Sequence, residues 1–133
     1  MKIILDTNVI VSGIFFSGPP YEILKAWRNG KFKIVVSQEI LLEYQRIAEK
    51  LNQKFPMINI QPMIDLLTVK ADLVIGPELP IQICKDPGDD KFISCALASG
   101  SKIIITGDKH LLNVNGYKGL EIIRPREFVE KYI

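Results

Sequence analysis

The chain has 133 residues, of which 47% are hydrophobic, and 17 basic against 15 acidic side chains leave a net charge of +2. That length is expected to build one domain, over residues 1–133, because a second independent core needs more chain. The apolar share and small net charge exclude intrinsic disorder, and the near balance of charge excludes a strongly basic nucleic-acid binder of the histone or ribosomal kind.

The residues 2–5 (KIIL) form a short β-branched run of the type that fills a strand buried on both faces. Asp6 and Asn8 interrupt the apolar N-terminus, and Ser12 and Gly13 fall inside the apolar stretch 9–16, to which no element is assigned. No small-x-small cleavage site follows, so this is not read as a signal peptide. No apolar run approaches the roughly 20 residues of a membrane span, and the expected location is the cytoplasm. Gly18-Pro19-Pro20 breaks the chain, and 21–28 reads as a helix stopped by Asn29-Gly30. A second strand is expected over 32–36 (FKIVV). Ser37 then offers an N-cap, with Gln38 and Glu39 in the first turn of a helix running to about residue 54. Its apolar stripe is Ile40, Tyr44, Ile47 and Leu51, which is helical spacing, and Pro56 closes it.

Residues 60–71 read as a further helix with Pro62 in its first turn, 73–75 as extended, 76–80 as a turn-rich connection and 81–84 as a small strand. Asp89-Asp90 open a helix over 91–99 that Gly100 ends at C′. A buried strand is expected at 102–105, a short helix at 109–113, a last strand at 121–123 and a last helix at 125–132. Strands alternating with helices give the fold class α/β, an α/β/α sandwich around a mainly parallel sheet. Cys84 and Cys95, with a single histidine and no CxxC, read as buried reduced thiols and not as a structural zinc site.

The chemistry follows from where the acids fall. Asp6 comes directly after the first strand, and Asp108 follows the strand 102–105 with Thr106-Gly107 between. Ligands of an open parallel sheet bind beyond the carboxyl ends of its strands, so both aspartates reach the same edge. Asp90 lies at a helix start in the run Asp86-Pro87-Gly88-Asp89-Asp90, and Glu43 lies on the shoulder of the buried face of its helix. Singly, each has an ordinary reading. Asp89 or Asp90 would cap a helix, Glu43 would be solvated, and Asp6 and Asp108 would serve turns. Together they would repel and call for a counter-charge. Carboxylates without thiolate or imidazole suit Mg²⁺ or Mn²⁺, the usual companions of phosphates, and point to phosphodiester hydrolysis. Neither GxxxxGK[ST] nor GxGxxG occurs, and a serine triad would rest on His110 alone, a residue read as surface or structural.

Asp6-Thr7-Asn8 after the first strand, Glu43, Asp90 in Asp90-Lys91-Phe92-Ile93-Ser94-Cys95-Ala96, and Thr106-Gly107-Asp108 resemble, in that order, the motifs of PIN-domain ribonucleases. The resemblance covers essentially the whole chain and is nearest to small prokaryotic toxins of type II toxin–antitoxin pairs. It implies a metal-dependent endoribonuclease using one or two Mg²⁺ or Mn²⁺ ions, with Asp6, Glu43, Asp90 and Asp108 as catalytic and metal-holding residues. Asn8 and Thr106 would orient carboxylates or water, and Asp86 and Asp89 would cap the helix or support the site. It also implies an RNA substrate, an antitoxin partner and a homodimer, without membrane attachment. Lys85, Lys91 and Lys109 each adjoin a site aspartate and either meet phosphates or offset local acidity. Phe15, Phe16 and Tyr21 either stack a base or belong to the core, the second being favoured. The alternatives are a housekeeping RNA-processing nuclease with no antitoxin and a non-catalytic RNA-binding domain of the same fold.

Overall fold

A computed structural model of the chain describes residues 1–75 and 81–133. The turn-rich connection expected at 76–80 lies outside the described residues. Strands β1 (Lys2–Leu5), β2 (Lys33–Val36), β3 (Asp72–Leu73), β4 (Ile103–Ile105) and β5 (Glu121–Ile123) pair in the order β3-β2-β1-β4-β5. Every pairing is parallel, with Ile3 opposite both Ile34 and Ile103, and Ile104 opposite Ile122. The strands read as β-branched runs because both faces of the sheet are covered: Ile3, Ile4, Leu5, Ile104 and Ile105 are wholly buried.

Helices α1 (Thr7–Phe15), α2 (Pro19–Arg28), α3 (Gln38–Asn52), α4 (Gln61–Lys70), α5 (Asp90–Ser99), α6 (Lys109–Leu112) and α7 (Pro125–Tyr132) flank this sheet as an α/β/α sandwich. α5 lies on β1, β2 and β4, whereas α1 packs on α2 and α3, and α2 on α7. Trp27, Tyr44, Phe92 and Phe128 are the largest side chains in the interior. Ser37 caps α3 as expected, accepting from the Ile40 amide at 3.2 Å, and Gly100 ends α5 in the left-handed region at φ 73°. Among the described residues no helix is long and apolar enough to cross a membrane.

Two expectations change. The stretch left without an element is helix α1, whose Val9, Ile10, Val11, Gly13 and Phe15 are all buried. The segment 81–84 is not a strand. Its amides at Ile83 and Cys84 donate to the Asp90 carboxylate, and Gln82 Nε2 donates to the carbonyls of Cys84 and Lys85. Side chains therefore satisfy backbone groups that a neighbouring strand would otherwise have taken.

The topology fixes where a ligand goes. From β1 the order runs through β2 to β3 on one side and through β4 to β5 on the other. The crevice of such a sheet opens at this reversal, beyond the carboxyl ends of β1 and β4.

Candidate active site

Asp6 is the first residue past β1, and its amide donates to the Ile105 carbonyl at 2.9 Å, extending the β1–β4 ladder by one step. The residue is only 6% exposed. Its carboxylate is directed sideways, accepting from the Thr106 hydroxyl at 2.7 Å, so α1 begins without a side-chain cap. Thr106 follows β4 and is wholly buried, with its amide on the Ile123 carbonyl. The same hydroxyl accepts from the Asp108 amide at 2.9 Å, so one side chain sets both acids. Asp108 in turn accepts from the His110 amide at 2.8 Å and caps α6. Beneath them the Tyr44 hydroxyl of α3 donates to the Leu5 carbonyl, fixing the end of β1.

The third acid is delivered by the turn before α5. Sequence order put Asp90 with Asp6 and Asp108 and made Asp89 a cap or support; in the structure Asp89 is the one grouped with Asp108, and Asp90 is held by the loop before it. Both Asp90 oxygens are occupied by backbone amides, Cys84 at 2.7 Å and Ile83 at 3.0 Å. Asp89 makes no cap hydrogen bond, and its Oδ2 is buried with no partner among the described residues. One ligand atom from each of Asp89, Asp108 and His110 lies within 4.8 Å of the others. His110, set aside in the sequence as surface or structural, thus joins the cluster, with Nδ1 at 3.8 Å from Asp108 Oδ1. A histidine two residues after a site aspartate, on the next turn's start, was the signal available for it.

Electrostatics separate the same residues. Burial pushes the Asp6 carboxyl above its usual range, with Asp108 and Glu43 adding repulsion against the Thr106 hydrogen bond. Asp89 is pushed up to about 7, by desolvation first and then by hydrogen bonding and repulsion from Asp108. Asp90 goes the other way: desolvation raises it, but the amides of Ile83 and Cys84 outweigh that and hold it below the usual range. Asp6, Asp89 and Asp108 feel one another, and Asp90 stands outside that set.

Glu43 reaches the site from α3 but stays outside the 4.8 Å group. Its Oε2 accepts from the Thr7 hydroxyl, its Oε1 pairs with Lys91 Nζ at 2.9 Å, and Arg46 lies 4.0 Å away. Asn8 is exposed on α1, and Asp86 accepts from the Gly88 amide at 2.9 Å to cap the turn Pro87–Asp89. Lys85 and Lys109 are exposed. Phe15 is buried with Val11, Ala48, Ile60 and Ile64, while Phe16 is half exposed and packs edge-on to Phe55 at 5.7 Å. Tyr21 is exposed. Both cysteines are free and buried, and burial pushes each thiol up to about 12, which leaves them inert as nucleophiles.

A family model described as the PIN domain matches residues 2–110. The chain belongs to the PIN domain family. PIN domains are in general nucleases, and every acid of the site, with His110, falls inside the matched span. The chain is also 31% identical over 145 residues to an uncharacterised protein of Methanocaldococcus jannaschii, covering 99% of this chain and 92% of that one. Among solved structures it resembles a chain in the crystal structure of VapBC2 from Rickettsia felis bound to a DNA fragment from their promoter. There the TM-score is 0.54 at 17% identity, over 93% of this chain and 98% of the other. At that identity the likeness is one of fold, and it covers a larger share of the chain than the family match, which stops at residue 110.

Proposed function

We propose that this PIN domain is a metal-dependent endoribonuclease, residues 1–133 acting as one nuclease domain, and that it is the toxin of a toxin–antitoxin pair. The observation that carries the reading is the meeting of Asp6, Asp89 and Asp108 beyond the ends of β1 and β4 in a family of nucleases. The donor set fits a hard divalent cation. Ligand atoms within 4.8 Å of one another need to draw in by only about 0.6 Å to share one coordination sphere, ~4.2 Å across at the ~2.1 Å bond length of Mg²⁺ or Mn²⁺. The orphaned, buried Asp89 Oδ2 is a group that calls for such a partner. Carboxylates suit either ion, and the imidazole of His110 tilts the set towards Mn²⁺.

Asp89 and Asp108, with His110 and the adjacent Asp6, would hold the ion, with Asp90 as the anchor of the preceding loop instead of a ligand. When bound, the ion supplies an activated water and offsets charge on the phosphate. The chain's own contribution is orientation: Thr106 holds Asp6 and Asp108 in register, Tyr44 holds the β1 end, and Thr7 holds Glu43. Lys109, exposed beside Asp108, would meet a flanking phosphate of RNA. The fold shared with a chain of the VapBC2 structure is in keeping with the toxin reading and an antitoxin partner; a homodimer and a cytoplasmic location are proposed with it.

The test is cleavage of a structured RNA by wild type and Asp6→Asn with Mn²⁺, Mg²⁺ or EDTA. Wild type is expected to cut only with a divalent ion, and the variant to lose at least about 100-fold, the scale on which positioned electrostatic groups act. Cleavage that survives EDTA or the substitution overturns the reading. Capture of a small protein encoded beside this chain, relieving growth arrest, tests the toxin assignment.

A further inference from the structure

The site has two halves joined by Asp6, which feels both Asp108 and Glu43. One half is the Asp89, Asp108 and His110 group. The other is Glu43, and it already holds a cation. Lys91, from the first turn of α5, places Nζ 2.9 Å from Glu43 Oε1 with only 11% of its side chain exposed. The ammonium also donates to the Gly88 carbonyl of the turn before α5 and lies 5.1 Å from the Phe92 ring centre. Three neighbours of different kinds therefore fix this charge, unlike the exposed Lys85 and Lys109.

Both Glu43 oxygens are engaged, Oε1 by Lys91 and Oε2 by Thr7. Two-ion hydrolytic sites need carboxylates for each ion, the ions lying ~4 Å apart. Glu43 is the acid left over for a second ion, and a lysine occupies it. We infer that Lys91 is a built-in counter-cation standing where a second divalent ion would sit, so that the site takes one ion per chain. Lys91 is thus a positioning residue. It keeps Glu43 ordered and neutralises its charge against Asp6 without a metal. A mobile surface lysine would be screened and worth little in this role, whereas one nine-tenths covered is not.

The inference rests on the functional reading above, and counting ions separates the two. Mn²⁺ binding to the full chain is measured by calorimetry, with the free ion followed by paramagnetic resonance, and no activity assay is involved. Wild type is expected to bind one Mn²⁺, Lys91→Met two, and Lys91→Arg one, because arginine keeps the charge. Adding Glu43→Gln to Lys91→Met returns the count to one. Circular dichroism checks that each variant is folded, and Lys91→Arg carries the wild-type comparison should Lys91→Met fail to fold: tighter or additional Mn²⁺ in Lys91→Arg counts against the inference. Two ions in the wild type, or one in folded Lys91→Met, overturns it. No Mn²⁺ at all in the wild type overturns the metal-dependent reading itself.

Discussion

Asp89 and Asp90 are neighbours with the same side chain and opposite surroundings. Asp90 meets two amides that stabilise its charge, and Asp89 meets Asp108, which opposes its charge. Order of residues could not separate them, because a helix start offers either residue both the cap and the cleft. What decides is the amide pair of Ile83 and Cys84, which belongs to a loop whose path the sequence does not reveal. The consequence is measurable. Asp89→Asn is expected to lower RNA cleavage about 10–100-fold or more while leaving the urea midpoint near or above wild type, since a repelled carboxyl is removed. Asp90→Ala strips two amides of a charged acceptor and is expected to cost roughly 1–3 kcal/mol in stability with a smaller effect on turnover. Matched cleavage rates and denaturation curves for the pair check this, and the reverse pattern restores Asp90 to the site.

At the level of elements, β1, β5 and α7 occupy the spans their sequence patterns imply, and α3 keeps its cap and most of its stripe. Besides the segment 81–84, α1 is the exception, and its burial explains why. It packs against α2 and α3 and has buried residues at 9, 10 and 11 in succession, so only Asn8 and the half-buried Ser12 are left as polar positions to mark a helical period. Its composition, Val-Ile-Val with a glycine, is also poor for an isolated helix. Gly13 marks the closest approach: a Cβ there would lie 2.6 Å from Leu24 Cδ1 and 2.9 Å from the Pro20 carbonyl oxygen. Leu24 has rotamers to move into, but the Pro20 backbone has none. Gly13→Ala should gain about 1 kcal/mol of helix propensity and lose roughly 1–3 kcal/mol to overpacking, so the net effect is destabilising. Thermal denaturation decides the sign, and a raised midpoint would show that α2 retreats freely. Because α1 begins one residue past Asp6, the cost should also appear in weaker Mn²⁺ binding.

For the whole molecule, the site's acids are expected to make folding, protons and metal compete. The broad plan was legible because parallel strands and their carboxyl ends follow from apolar runs, and Asp6 and Asp108 follow within three residues of two of them. Their protonation was not, since it depends on burial and on which acids meet. Asp89 has an ordinary value of 3.8 and is pushed up to about 7 in the fold, so between these values the native state binds the extra proton. Stability linked to it is present below about pH 4, falls as pH rises towards 7, and is level above. Asp6, also raised by burial, has the same sign, whereas the lowered Asp90 contributes stability that is lost only in acid. A divalent ion needs the deprotonated acids, so its effect runs the opposite way and grows across the same window. Urea unfolding at pH 5 and pH 8 is therefore expected to show the metal-free protein weaker at pH 8, with Asp89→Asn flattening the decline. Mn²⁺ at 100 times its dissociation constant should add about 2.7 kcal/mol at pH 8. The same concentration should add much less at pH 5, where protons hold the site, and EDTA should reverse both increments. An Mn²⁺ increment independent of pH, or an unchanged decline in Asp89→Asn, would mean that Asp89 is not the acid through which protons and metal compete.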